Sequence, residues 1–252
     1  MAAQRVRTPP HVKRPPASRG PGAQNLLLDA LPSAEYERLA PRLEVIPLKL
    51  KQIVHHPGDP VGHVYFPGGG FLSVLTVLED GAMVEVATIG REGMTGVSAA
   101  LDGNGPRSIV MVQAAMATCH RLAVDDFRRE MNQHGAFFSL VTRYSQAFIG
   151  MIMQSTACNA VHSVEQRLAR WLLMAHDRVG KDEFPLTQEF VAMMLGASRP
   201  TVTTVAGALQ QAKLITYRRG IVRILNRLKL EGVSCECYRV TTELLSRVTD
   251  EQ

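Results

Sequence analysis

From Phe190 to Leu230 the chain carries seven basic side chains, Arg199, Lys213, Arg218, Arg219, Arg223, Arg227 and Lys229, and no Asp or Glu. Cations set apart from acids in this way suit a polyanion, with DNA or RNA the usual candidates, because no neighbouring carboxylate competes with a phosphate for them. The net charge of +5 over 252 residues hides this asymmetry: residues 24–160 hold ten basic and thirteen acidic groups, a balance of −3. Residues 1–23 form a second basic stretch, with Arg5, Arg7, Lys13, Arg14, Arg19, no acid and five prolines. Without apolar periodicity they read as a disordered arm, better explained as a solvated tail than as a binding element.

Other groups capable of chemistry are sparser. Cys119, Cys158, Cys235 and Cys237 are too few and too scattered for a disulfide framework, and the last two have no partner CxxC. Reduced thiols are expected. On a helix a spacing of two points side chains to different faces, so Cys235 and Cys237 are not expected to bind metal. His55, His56 and His63 surround PGD and read as a solvated turn rather than a haem or metal ligand set. There is no GxSxG, HExxH or Walker loop, so an enzyme is not expected. The longest apolar runs fall short of the roughly eighteen residues of a membrane span, and the N-terminus lacks the apolar core of a signal peptide. A cytoplasmic protein without membrane contact is the expectation.

The basic region needs elements to present it. In LTQEFVAMMLGASRPTVTTVAGALQ, Leu186 to Gln210, Thr187 can cap a helix from Gln188 to Leu195 with Phe190, Val191, Met194 and Leu195 buried. Gly196 to Ser198 makes a turn, and Ser198 caps a second helix from Arg199 to about Gln211 with Pro200 in its first turn. Two short helices joined by a Gly-containing turn describe a helix-turn-helix, and the hairpin ITY, RRG, IVRIL would be its wing. An αα-hairpin in any core looks similar on the helices alone, and the acid-free basic hairpin beside it tips the reading towards DNA.

Upstream, Ser163 and Gln166 fit a capping box before Val164, Leu168, Trp171, Leu172 and Ala175, with Gly180 closing that helix. A long helix is expected from Gly135 to about Val161, its stripe Phe137, Leu140, Val141, Tyr144, Phe148, Met151 and Ile152. It outlasts what a small domain covers, which favours pairing with a second copy. From Leu43 to Leu122, short segments such as HVYFP, FLSVLTVL and MVEVATI alternate with PGD, PGGG, EDG and NGP, the pattern of an antiparallel β module with a hairpin at Asp80-Gly81.

At this point the sequence resembles the Crp/Fnr-type transcription regulators. HSVEQRLARWLL, PLTQEFVAMMLGASRPTVTTVAGALQQAKLITYRRGIVRI and LEGVSCECY resemble their C-terminal domain, and HPGDPVGHVYFPGGGFLSVLTVLEDGAMVEVATIGREGMTG their cyclic-nucleotide-binding-type barrel. The likeness spans about Asn25 to Tyr238. After the arm at 1–23, it implies an α+β chain: an antiparallel barrel sensor at 24–134, a dimerisation helix at 135–161, a winged helix-turn-helix at 162–240 and a tail at 241–252. It also implies a homodimer on double-stranded DNA, with RNA polymerase a partner if the protein activates, although no short motif reports the patch that would require. A signalling or scaffolding module without specific DNA binding is the alternative.

The resemblance assigns Arg199 to base reading, where an arginine can grip guanine O6 and N7 bidentately. Thr203 and Thr204, one turn on, face the same way; Thr187, Ser198 and Thr201 are placed for phosphates, and Arg218, Arg219 and Arg223 add charge on the wing. Relatives carry Glu and a second Arg on this helix where this chain has Pro200, Thr203 and Thr204, so no family operator carries over. In the sensor, Arg107 and Ser108 have the residue types for a cyclic phosphate and Glu92 for a ribose hydroxyl, which makes a cyclic nucleotide the candidate ligand. Against it, Arg91 stands where the acid is expected after Gly90, the stretch to Arg107 is long, and Ile109 replaces a small residue. Arg107 in a plain surface turn is the competing reading.

Overall fold

Asn25 shows how the N-terminal half is closed. Its side-chain oxygen accepts from the Leu27 and Leu28 amides and so caps α1 (Leu26–Asp29), while its amide donates to the carbonyls of Pro67 and Gly93 at 3.0 and 2.8 Å. The residue is fully buried with both polar atoms of its side chain satisfied, and it pins the first helix to the sheets. The computed structural model describes residues 24–100 and 108–250, so the arm expected at 1–23 and the ligand candidate Arg107 lie outside the described residues.

After α2 (Ser33–Leu39) and a 3-10 turn, seven strands follow: β1 (Glu44–Leu48), β2 (Ile53–His55), β3 (His63–Pro67), β4 (Phe71–Val77), β5 (Met83–Ile89), β6 (Ser108–Ala114) and β7 (Met116–Ala123), with the short α3 (Val97–Ala100) between β5 and β6. They pair in two antiparallel sheets, β1-β7-β3 and β2-β6-β4-β5. The expected barrel is therefore two sheets and not a closed ring. The chain changes sheet at Ala115 between β6 and β7, and among the described residues no ladder joins the sheets' edges. The β4–β5 hairpin has the expected turn: Gly81 takes φ +81°, and the Asp80 carboxylate accepts from the Ala82 amide at 2.9 Å.

Then come α4 (Val124–Met131), α5 (Ala136–Val161) and α6 (Val164–Val179). The stripe read from sequence on α5 is covered by the chain itself. Phe137, Leu140, Val141 and Tyr144 pack with Leu28, Phe66 and Phe127, while Met151 packs with Leu72 and Val112. A different face of α5 stays open, with Ile149, Met153 and Val161 at 49, 68 and 75% exposure. The capping box at the start of α6 is complete, the Gln166 amide donating to Ser163 Oγ and the Ser163 amide to Gln166 Oε1, and Gly180 ends the helix in the left-handed region.

The last unit holds β8 (Glu183–Pro185), α7 (Gln188–Leu195), α8 (Arg199–Gln211), β9 (Ile215–Arg218), β10 (Ile221–Ile224), α9 (Arg227–Val233) and α10 (Cys237–Ser246). Residues 241–246, read as part of a tail, continue α10, which lies along α5: Leu244 meets Gly150, and the Val248 carbonyl accepts from Arg143 Nε at 3.0 Å. The unit has no isolated core. Phe71 and Leu75 of β4 belong to one apolar cluster with Leu172, Trp171, Phe190 and Leu195, so the sensor sheet and the helix-turn-helix bury each other's surface.

Candidate nucleic-acid interface and its link to the sensor

Each helix of the helix-turn-helix is started by a hydroxyl. Thr187 Oγ1 accepts the Phe190 amide at 3.2 Å, and Ser198 Oγ accepts the Thr201 amide at 3.3 Å; between them Gly196 takes φ +55°, the conformation that ends α7. Val202, Ala206 and Leu209 turn α8 onto the core, which leaves Arg199, Thr201, Thr203 and Thr204 exposed on one side of its first two turns. The Arg199 side chain is 65% exposed, with Glu189 the nearest acid at 3.9 Å. That carboxylate lies just before the acid-free window and biases the guanidinium weakly, since exposed pairs of this kind contribute little.

The threonines are less free than their spacing suggests. Thr203 Oγ1 shares its one proton between the Arg199 carbonyl and Gln188 Oε1, and Thr204 Oγ1 donates to the Pro200 carbonyl. Their oxygens remain acceptors and their methyls apolar contacts. Gln188, which ties α7 to α8 through Thr203, was not singled out from sequence; only its position at the first turn of α7 could have drawn attention to it.

The wing is β9 and β10, paired Arg218 with Ile221 through a two-residue turn in which Arg219 and Gly220 take φ +51° and +75°. Positive φ at both positions is the twist-matched hairpin geometry. Val222 and Ile224 face the core while Arg218, Arg219 and Arg223 are exposed. A third strand, β8, pairs with β10 and is too short for any periodic signal.

Towards the sensor, Arg178 near the end of α6 donates to Glu92 through Nε at 2.8 Å and Nη2 at 2.7 Å, and the Gly90 amide donates to the same carboxylate at 3.0 Å. Glu92 thus faces the winged-helix unit and not an open ribose site. Ser108 begins β6, half-buried opposite Thr76. Two turns nearer the start of α6, Trp171 Nε1 donates at 2.8 Å to Glu85 of β5, whose other oxygen accepts from Ser73 Oγ. Burial lifts the Glu85 carboxyl to about 7 against these two hydrogen bonds and the nearby Arg170 and Arg178.

The histidines around PGD are not alike. His56 is exposed, but His55 is buried, its Nε2 2.9 Å from Thr95 Oγ1 and its ring edge-on to Tyr65. It ends β2, whose register shifts between the exposed Ile53 and the buried His55, and desolvation with His63 nearby lowers it to about 4. No helix among the described residues is long and apolar enough to cross a membrane.

Two family models match the chain, a cyclic nucleotide-binding domain over residues 45–134 and a Crp-like helix-turn-helix domain over residues 166–233. Together they span well over half of it. Among solved structures, a protein of the crp/fnr family from Eubacterium rectale superposes with a TM-score of 0.60 at 19% identity, covering 82% of this chain and 96% of that one. FixK2 from Bradyrhizobium japonicum gives 0.60 at 14%, covering 77% and 98%, and the c-di-GMP responsive global regulator CLP from Xanthomonas campestris gives 0.59 at 15%, covering 77% and 99%. At these identities the likeness is one of fold. A search of curated proteins found no match.

Proposed function

The chain belongs to the Crp/Fnr family of transcriptional regulators, and on that premise we propose that it binds double-stranded DNA as a homodimer, with the first turns of α8 in the major groove. The observation that carries this reading is the segregation at the surface of the winged-helix unit: Arg199 and three threonines on one side of α8, and Arg218, Arg219 and Arg223 on the wing beside it. In this division of labour Arg199 reads base edges, while Thr187, Ser198, Thr201 and the wing arginines hold phosphates and set the register. The caps Thr187 and Ser198 retain acceptor capacity but already serve helix amides, so backbone N–H groups at the two helix starts supply the donors.

Dimerisation is supported by the open face of α5. Gln146, Ile149, Met153, Thr156 and Ala160 recur at alternating steps of three and four, all exposed and with no charge among them. That is the seam of a two-helix coiled coil, which would bring two copies of α8 to half-sites about one helical turn apart, roughly 34 Å.

Control passes through Glu92. A ligand in the sensor that took the Glu92 carboxylate, as a cyclic nucleotide's ribose would with Arg107 and Ser108 on its phosphate, has to displace Arg178. Ligand binding and the seating of the winged-helix unit are then linked as competing states of one equilibrium. A non-standard sensor ligand acting by the same displacement remains consistent with Arg91 at the position after Gly90.

Selection of bound duplexes from a random library, with and without cyclic AMP, tests the proposal. An enriched palindrome is the expected result, and dependence on the nucleotide assigns it to the sensor. No enrichment in either condition would return the chain to a signalling or scaffolding role.

A further inference from the structure

Three cysteines that lie far apart in sequence meet at the end of α5. Cys158 sits in its last turn, Cys235 in the turn between α9 and α10, and Cys237 at the first residue of α10; each is at most 3% exposed. His162, the residue that ends α5, joins them. Cys158 Sγ lies 3.5 Å from Cys235 Sγ, Cys237 Sγ lies 3.6 Å from His162 Nδ1, and all four ligand atoms fall within 4.8 Å of one another.

A tetrahedral ion bonded to sulfur at about 2.3 Å and to nitrogen at about 2.0 Å holds its ligand atoms roughly 3.5 to 3.8 Å apart. The Cys158–Cys235 and Cys237–His162 separations match that figure. The surroundings match as well. His162 Nε2 stands 3.2 Å from the Glu236 carboxylate, the carboxylate-to-imidazole arrangement that orients a metal-bound histidine through its other nitrogen. Gln154 Nε2 donates to Cys237 Sγ at 3.0 Å, a bond a thiolate accepts better than a thiol. Arg170, buried with no partner on its Nε among the described residues, places a positive charge beside Cys158 and Cys235.

We propose that Cys158, His162, Cys235 and Cys237 form a Cys3His site for a single divalent ion, zinc by ligand type. Three thiolates and a neutral imidazole leave the loaded site one negative charge, which Arg170 offsets. Packing of reduced thiols as small apolar groups would explain their burial but not the imidazole, the carboxylate behind it or the amide on sulfur. A disulfide between Cys158 and Cys235, needing sulfurs about 2.05 Å apart, would leave Cys237 and His162 without a role. The sequence hides the site because the spacing of two looks unfavourable on a helix, whereas Cys235 precedes α10 and only Cys237 belongs to it.

The site joins the end of α5, the α5–α6 connection and the return of the chain onto α5, so its role is structural: it fixes where the winged-helix unit leaves and rejoins the long helix. The inference stands independently of DNA binding. It is tested on the full chain, purified in reducing buffer and dialysed free of loose metal, by elemental analysis. About one zinc per chain is expected, with Cys119→Ala, a buried cysteine outside the cluster, keeping it and Cys237→Ala or His162→Ala retaining less than about a tenth. Should those variants fail to fold, the unaltered protein decides: exchange into cobalt should give thiolate-to-cobalt charge transfer and tetrahedral d–d bands. Glu236→Gln should keep the ion but surrender it to a competing chelator about 10- to 100-fold more readily. Metal-free protein whose four thiols titrate without unfolding, cobalt spectra without thiolate bands, or a Cys158 to Cys235 disulfide found by mass spectrometry would each overturn the proposal.

Discussion

Trp171 of α6 donates its indole N–H to Glu85 of β5 at 2.8 Å, across the boundary between the sensor sheet and the winged-helix unit. The pair is buried, Ser73 fills the other carboxylate oxygen, and burial lifts Glu85 from 4.5 to about 7. A carboxyl raised on folding binds its proton more tightly in the folded state. Its contribution to stability is therefore full below about 4.5, falls as pH rises towards 7 and is lost above it.

Glu85→Gln keeps an acceptor for Trp171 and gains an amide donor for Ser73 without the ionisation. Its melting temperature should equal that of the parent near pH 4.5 and exceed it by pH 8, an advantage bounded at about 3 kcal/mol by the shift. Parallel pH profiles for the two proteins would show that Glu85 does not titrate between folded and unfolded states. His55 acts in the opposite sense, since a histidine lowered to about 4 contributes stability above 6.5 that is lost as pH falls through 4. Comparison with the variant, and not the raw profile, is what isolates Glu85.

The Glu92 and Arg178 side chains are 17 and 6% exposed, so removing either partner alone leaves the other charge poorly solvated and costs more than at a surface pair. A double-mutant cycle on Glu92→Ala and Arg178→Ala, read by chemical denaturation, should return a coupling of about 0.5 to 3 kcal/mol. Either single variant should also change DNA affinity in the absence of ligand, as measured by fluorescence anisotropy. Additive single effects with unchanged affinity would remove the pair from the control of the winged-helix unit.

Arg199→Ala should cost about 1 to 3 kcal/mol on the preferred duplex and almost nothing on a random one. Arg218→Ala or Arg223→Ala should weaken both duplexes alike and lower the slope of log affinity against log salt by about one each. Equal losses on both duplexes for Arg199→Ala would make it a phosphate contact.

Ile149→Glu with Met153→Glu places charge in the proposed seam at positions 49 and 68% exposed within one chain. Sedimentation should show a monomer where the parent is a dimer, with an unchanged far-UV circular dichroism spectrum. A variant that still sediments as a dimer would move the interface off this face of α5.

The helix caps and turns were legible because each depends on a few neighbouring residues. Ser163 with Gln166, Thr187, Ser198, Asp80-Gly81 and Gly196 all serve the roles their types suggest. What depends on distant partners was not. Glu92 has the chemistry of a sugar contact, but its neighbour in space is Arg178, 86 positions away. The apolar stripe of α5 predicts burial without saying what buries it, and the chain's own sheets and α10 do so. His55 sits among turn residues in sequence, yet it ends a three-residue strand with an irregular register and is buried against Thr95 and Tyr65. Cys158 and Cys235 meet over 77 positions through the fold of α9 and α10.

The winged-helix unit is held at both ends by the same helix. It departs from α5 through His162 and Ser163 alone, and after α9 the chain comes back as α10 along α5. A domain hung from one linker would sample a cone of directions, whereas one tied at two points to a single rod keeps mainly rotation about the line joining them. Along α6, about 24 Å long, a turn of roughly five degrees about an axis across its start displaces the far end by about 2 Å, comparable to the sliding of packed helices in known switches. With the contacts of α6 to Glu85 and Glu92 released, small changes at the joint would be geared into a defined sweep of α8, with little of the motion lost to wobble.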